Sequence, residues 1–537
     1  MKRKSSRNYL LGVAVAFVAV LIVSLAFVTL AQTTGAGQQS AQPAGLPAQL
    51  APDSQVPKVH FAKVVTYGSG GWAADSLAIG DLNGDGYSDL VVTNANGGLG
   101  VLLGNGDGTF QTAVTYDLGT YPWELFAAIG DVNGDGRPDV VVTCYALATV
   151  SVLLGNGDGT FQPALTFSLG TTSGSSVVIN DVNGDGHPDL VLAACLDGGN
   201  GCRSGVSVLL GNGDGTFQTA LTYDAAGFVA QSVAVADVNG DGHPDLLVAN
   251  LCKDSNNCGG GVGPGGVSVL LGKGDGTFQP AVSYKSGGDN ADSVVIGDVN
   301  GDGHPDVVVA NACQTGSCNN GVVGVLLGKG DGTFQPAVSY NSGRYTVGSV
   351  VIGDVNGDGH PDLVVAEYNG NGYMPPGHVS VLVGNGNGTF QEPVTYFSSG
   401  GSDASPVAIG DVNGDGRPDV LVVNRFSGRY NQAGTVGVLL NKFAAVTTTQ
   451  LTSSPNPSQV NQSVTFTATI TSTCSVLDGQ TVTFYYGKTV LGTGTTKGGV
   501  ASFTTSFSGA KTYTIKAAYP GGGFLKSSSG TVKQVVQ

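Results

Sequence analysis

Asp81, Asn83, Asp85 and Asp89 stand in the segment DLNGDGYSD, which puts oxygen-bearing side chains at positions 1, 3, 5 and 9 and a glycine at position 6. Such spacing wraps a short length of chain around one hard cation, the glycine making the sharp reversal. The backbone carbonyl of Tyr87, at position 7, is a further candidate ligand. The pattern recurs as Asp131, Asn133, Asp135, Arg137 and Asp139; Asp181, Asn183, Asp185, His187 and Asp189; Asp237, Asn239, Asp241, His243 and Asp245; Asp298, Asn300, Asp302, His304 and Asp306; Asp354, Asn356, Asp358, His360 and Asp362; and Asp411, Asn413, Asp415, Arg417 and Asp419. The seven copies start 50 to 61 residues apart. With no imidazole or thiolate among the ligands the chemistry points to Ca2+, about seven ions in all, since Mg2+ demands a tighter octahedron. Three carboxylates so close repel one another, so an empty loop is expected to be poorly ordered.

Four histidines at position 7 invite a transition-metal reading, but Tyr87, Arg137 and Arg417 hold the same place in sister copies. The side chain there is therefore expected to face solvent, with only its carbonyl used. His60 and His378 form no cluster. A second Gly-rich element, GNGDGTF or GKGDGTF, follows each acidic loop except the last. Its copies drift to Lys273, Lys329 and Asn387, which a hairpin turn tolerates and a cation site would not.

What must position these loops is a repeat, and repeats are read before single residues. Each unit carries four short β-like stretches, as in SVVIGD, DVVVAN, VVGVLLG and FQPAVSY of the fifth (Ser293 to Tyr340). Four strands per unit, repeated radially, describe the blade of a β-propeller. VHFAKVVTY (Val59 to Tyr67) matches a fourth stretch with no preceding three, and the last unit stops after its third at VGVLLNKF (Val436 to Phe443). An orphan at the front and a vacancy at the back can pair, 3+1, and close a seven-bladed ring over residues 58–443, removing exposed edges. A straight solenoid would waste that complementarity. Beyond it, residues 447–537 alternate as QSVTFTATITS and QTVTFYYG between turns, which fits an immunoglobulin-like β-sandwich. The fold class expected is all-β.

Composition agrees: Gly is 87 of 537 residues, charged residues are 12% and hydrophobic residues 41%, a mixture for short strands and tight turns. The net charge of −16 argues against nucleic acid, but the seven loops hold 21 of the 39 acidic residues. Seven divalent cations would bring that charge to −2, so the acidity reads as a metal signature first. Lys2, Arg3, Lys4 and Arg7 precede an apolar run ending at Ala31, which reads as an export signal over 1–31, either cleaved or retained as a membrane anchor, with a flexible tether over 32–57. The protein is accordingly expected outside the cytoplasm, secreted or held at the cell surface, as a monomer. Six of the eight cysteines fall into close pairs, Cys195 with Cys202, Cys252 with Cys258 and Cys313 with Cys318, which suits disulfides; zinc is the alternative, disfavoured because no CxxC spacing occurs. Cys144 and Cys474 have no evident partner in the sequence.

On these acidic loops and four-stretch units the chain, over about residues 59 to 443, resembles the FG-GAP and VCBS repeat families, whose blades also form the integrin α-subunit head. The resemblance implies a seven-bladed propeller in which each loop joins the first and second strands on the lower face and binds Ca2+. TFQ stands where the Phe-Gly element would be, so the chain looks closer to the bacterial VCBS-like branch, and integrin-type ligand recognition does not carry over. The tail, through SSPNPSQVNQSVTFTATI, resembles bacterial immunoglobulin-like repeat domains.

Three functions stay open: an adhesion or binding module for an extracellular glycan or protein, a polysaccharide-active enzyme on a propeller scaffold, and a passive display module. No GxSxG, HExxH or P-loop occurs, and Glu124, Glu367, Glu392 and Asp403 form no evident catalytic pair. A recognition surface is expected on the face opposite the loops, where Trp72, Trp123, Tyr345 and other aromatics lie in the variable connections.

Overall fold

The computed structural model describes residues 59–537 apart from 97, 119–124, 199–200, 255–262, 317–319, 344, 369–376, 399–401, 427–432, 473, 475 and 477. The predicted export signal and tether fall outside the described residues. All regular structure among the described residues is β, with no helix. Strand β1 (Val65–Trp72) is followed by β2 (Ala74–Gly80), β3 (Asp89–Asn94), β4 (Gly98–Leu102) and β5 (Val114–Asp117), and the last four form one antiparallel sheet in that order. Strand β3, DLVVTN, is buried at every position. A strand packed on both faces reads as a continuous apolar run and not as an alternation. Burial falls toward the periphery, and β5 is largely exposed.

This unit recurs along the repeat region. Two strands of 16 residues, Leu221–Ala236 and Val282–Gly297, each serve as the fourth strand of one unit and the first of the next, so Ser173–Asn341 make a single ten-stranded sheet. Between those two duties the first of them kinks through Ala226 and Val229, at φ of 50° and 56°. Positive φ is unfavourable for a β-branched residue and is held here by pairing on both sides.

Strand β1 does not join β2 to β5. It pairs antiparallel with Ala433–Leu439 at the other end of the repeats, Val65 opposite Val438, and completes a four-stranded sheet with Asp419–Phe426 and Ser402–Gly410. Upstream of it Phe61 bridges Asn441, Ala62 N–H donates to the Leu440 carbonyl and Lys442 N–H to that of His60, both at 2.7 Å. The same bonds close the hairpin of the first unit, from Gln111 to Leu103 and from Asn105 to Thr109. The last unit thus rebuilds its hairpin base from two distant stretches of chain.

Among the described residues the repeat region has no single core. Seven apolar clusters lie between neighbouring units, including one in which Leu77, Ile79 and Val92 of the first pack on Leu421, Val423 and Val436 of the last. Each junction also carries one edge-to-face aromatic pair, from Tyr67–Phe110 through Tyr340–Phe390 to Phe61–Tyr396, with centroids 5.0–5.7 Å apart. Such a pair contributes about 0.5–1.5 kcal/mol beyond area burial.

The C-terminal seven strands form two facing sheets: Thr447–Ser454, Ser463–Ser472 and Val500–Ser506 in one, and Thr481–Tyr486, Thr489–Thr495, Thr512–Tyr519 and Ser528–Val535 in the other. Here burial alternates along the strands, and Val464, Phe466, Phe484, Ile515 and Tyr519 fill the space between.

Cys195 and Cys202 form a disulfide. Cys252 and Cys313 are likewise disulfide-bonded, and their predicted partners Cys258 and Cys318 lie outside the described residues. Cys144 and Cys474 are buried thiols.

Candidate metal centre

Each acidic loop joins the first and second strands of a unit, and the first is representative. The Asp81 carboxylate accepts backbone N–H groups of Gly84 at 2.8 Å, Asp85 at 3.2 Å and Gly86 at 2.9 Å, which winds the chain around it. Gly84 and Gly86 sit at φ of 73° and 84°, open to solvent, so glycine is needed there for backbone conformation and not for space. Asn83 Oδ1 accepts from Asp85 N–H at 2.9 Å, and its amide nitrogen donates to Asp85 Oδ2 at 3.0 Å. Asp89 opens β3, fully buried, and accepts Leu82 N–H at 2.9 Å and Gly104 N–H at 2.7 Å.

The Asp89 bonds recur in all seven units: the position-9 carboxylate takes the position-2 N–H at 2.9–3.1 Å and the first hairpin N–H at 2.7–2.8 Å. It therefore ties loop, second strand and hairpin together. Burial outweighs those N–H donors and pushes Asp89, Asp139, Asp189, Asp245, Asp306 and Asp419 up to about 6, with the other loop acids adding to the rise. Asp362 is pushed up to about 8, again chiefly by burial.

The donor set is all oxygen and the winding is that of a cation loop. Among the described residues, however, no three His, Cys, Asp or Glu side chains stand close enough together to hold a metal ion. Two anions at positions 1 and 9 are satisfied by backbone N–H groups, and the third is held by the position-3 amide. The residues fit a hard cation in the chemistry of their donors.

The other predicted ligands are placed unit by unit. Position-7 side chains are exposed but not idle: the rings of Tyr87, His187, His243, His304 and His360 each lie against a hairpin glycine of their own unit, where an added Cβ would meet them at 2.3–2.4 Å. No two of these histidines share a site. Arg417 departs from the expectation of a solvent-facing side chain, since its half-buried guanidinium pairs with Asp415. The GNGDG element behaves as a turn. Asp107 accepts both the N–H and the hydroxyl of Thr109, which holds its carboxyl below the usual range, and Asn387 makes the same two bonds to Thr389 without a charge. Hairpins and acidic loops share one face: Gly108 N–H donates to the Val412 carbonyl at 3.0 Å and Gly159 N–H to that of Leu82 at 3.2 Å.

On the opposite side, His378 is buried between Tyr345 and Phe397, with centroids 5.1 and 5.0 Å away, and Phe397 is 67% exposed. Tyr121, Trp123, Tyr373 and Tyr430, expected on the same surface, lie outside the described residues.

An FG-GAP-like repeat model matches residues 81–142, 131–192, 181–248, 259–309, 312–365 and 354–422, more than half of the chain, and an FG-GAP repeat model matches 229–270 and 407–439. The chain belongs to the FG-GAP-like repeat family. Residues 451–537 match a bacterial Ig-like domain of group 3. FG-GAP-like repeats and Ig-like domains are typical of extracellular proteins, and no helix among the described residues is long and apolar enough to cross a membrane. No curated protein matches the chain. Among solved structures it is similar to BBS1N in complex with ARL6DN (13% identity, TM-score 0.43, 71% of this chain and 96% of that one). It is also similar to the Vibrio cholerae biofilm matrix protein Bap1 (13%, 0.36, 73% and 90%) and to the extracellular domain of the putative one component system BT4673 of Bacteroides thetaiotaomicron (10%, 0.38, 90% and 59%).

Two features of the FG-GAP-like units escaped the sequence reading. The aromatic pairs were visible in principle, because Phe before Gln and Tyr before the next unit recur at fixed places. So were the hydrogen bonds between neighbouring units from Ser69 to Asn94, at 2.5 Å, and from Ser398 to Asn424, at 2.8 Å.

Proposed function

We propose that this FG-GAP-like protein is an extracellular calcium-binding module of adhesion type. Its units are the blades of a seven-bladed propeller closed 3+1 by β1, and each acidic loop takes one Ca2+, about seven ions in all. The observation that carries this reading is the sevenfold recurrence of one oxygen-only loop, wound in every copy by the position-6 N–H onto the position-1 carboxylate. A single such loop is commonplace; seven kept in every unit mark a shared demand.

In each loop the chain's own residues do the holding. The carboxylates at positions 1, 5 and 9 supply negative charge, the position-3 amide and the position-7 carbonyl neutral oxygen, and the glycines let the backbone reverse. A bound Ca2+ supplies the positive charge that lets three carboxylates converge. Affinities of extracellular modules, about 10⁻⁴ to 10⁻³ M, are expected. The ligand is a glycan or protein engaged on the face opposite the loops, where exposed Phe397 beside His378 and Tyr345 offers a ring for stacking. The sandwich serves as spacer or second contact.

Elemental analysis and isothermal titration of the purified chain test the metal: about seven Ca2+ per chain are expected, and a folded chain that binds none would overturn the reading. A glycan array run beside a polysaccharide turnover screen tests the rest. Turnover without retention on the array would favour an enzyme instead.

A further inference from the structure

The seventh unit lacks the Gly-rich hairpin that other units lay against the acidic loop of the unit before. Beside the position-4 glycine of loops three, four, five and seven, the nearest neighbour is a hairpin carbonyl of the following unit: Gly274 by Gly184, Gly330 by Gly240, Gly386 by Gly301 and Gly106 by Gly414. After Leu439 the chain departs for the sandwich, so the sixth loop has no hairpin to receive. One lost bond is replaced at once, since the Asn441 side chain donates to the Val355 carbonyl at 2.7 Å, where Gly388 N–H serves Val299 in the unit before.

The remaining space is filled by the sandwich. The Phe524 ring lies on Gly357, where an added Cβ would meet it at 2.2 Å, and Cys474 Sγ donates to the Asn356 carbonyl at 3.6 Å. The carbonyl of Gly523 accepts from Arg417 Nη1 at 3.0 Å, and the same guanidinium pairs with Asp415 of loop seven. The segment is braced from behind by Ala445, whose N–H donates to the Phe524 carbonyl at 2.7 Å. In consequence Asn356 is 0% exposed, while Asn83, its counterpart in the first loop, is only half-buried.

We infer that the sandwich acts as the missing hairpin and lid of the sixth loop, so that docking of the sandwich and loading of that loop are linked. This rests on the reading of the loops as calcium sites. Atoms of the lid touch the backbone at positions 3 and 4, so a lid that closes better on the wound, loaded loop must in turn raise that loop's affinity for its ion, and while closed it also stands in the way of the ion's release. The coupling is reciprocal by thermodynamic necessity. The sixth site is the slow one of seven, and its ion sets how firmly the sandwich is held against the repeats.

The full chain is loaded with radioactive calcium and chased with excess unlabelled calcium. One ion in about seven is expected to leave roughly tenfold more slowly than the others, within the usual range of coupling between sites. Phe524→Ser, which lifts the lid without touching a ligand, should merge that ion with the fast class. As a second readout, in saturating calcium, Asp358→Asn should speed maleimide labelling of Cys474 by about the same factor and leave Cys144 unchanged. Release of all ions as one class, survival of the slow ion in Phe524→Ser, or unchanged Cys474 labelling in Asp358→Asn would each overturn the lid. A chain that binds no calcium would overturn the metal reading and the lid together, whereas normal stoichiometry with a single rate defeats the lid alone.

Discussion

The first and sixth acidic loops, DLNGDGYSD and DVNGDGHPD, are nearly the same sequence and make the same bonds from positions 1 and 9. Their surroundings differ. Asp89 sits beneath a loop open to water, whereas Asp362 sits beneath one roofed by Phe524, and its carboxyl is pushed to about 8 against about 6. Burial is the chief cause of the higher value, and the loop's own Asp354 and Asp358 add to it. That burial comes from the sixth unit preceding the one whose hairpin the chain gave up to reach the sandwich. Chemical identity of repeats therefore does not make their sites equivalent; their place in the array decides solvent access.

The largest way to test that comparison is to remove the cation from every loop. At a free Ca2+ ten times the dissociation constant, one site stabilises by about 1.4 kcal/mol, and about seven sites by on the order of 10 kcal/mol. Calorimetry in chelator should show a large fall in Tm that added Ca2+ restores. Next in size is loss of the position-9 carboxylate. Asp89→Ala strands two buried N–H groups at about 1–3 kcal/mol each, and Asp362→Ala should cost about 1 kcal/mol more because less water reaches the roofed loop. Urea denaturation of the two variants measures the gap.

Acid sharpens the contrast further. In metal-free protein a carboxylate whose folded pKa exceeds its unfolded value binds more protons folded than unfolded between the two values. Stability there should rise as pH falls, first through about 8 for Asp362 and then through about 6 for the other six. With Ca2+ present the trend should reverse, because protons compete for the ligands; melting curves from pH 8.5 to 5 read both. The smallest effect is expected from Asp107→Asn in the hairpin, under about 0.5 kcal/mol and with no change in bound Ca2+, since Asn387 already fills that role.

Much of this was legible in the residues. Four strands per unit, the orphan strand at Val65 and the alternation of the sandwich all follow from local periodicity, which sequence carries directly. The pairing of Val65 with Val438 was inferable because one end lacks what the other has spare. What sequence did not carry was the third dimension between units. Arg417 reads like Arg137, yet only Arg417 meets the sandwich, and its partner Gly523 lies 106 residues on. Cys474 likewise appeared as a leftover thiol, and its position over Asn356 depends on how two domains meet. Contacts between the repeats and the sandwich are set by how the two domains pack, and no repeat pattern announces them.

Strand β1 is synthesised about 370 residues before its partner Ala433–Leu439 emerges. Until then the first strand has no sheet and the seventh unit does not exist, so a nascent or truncated chain presents bare edges to its neighbours. Bringing such distant segments together is entropically modest, about 5 kcal/mol by the logarithmic law, but it makes assembly late and dependent on the full length. A break anywhere in the repeats is thus felt at strand β1.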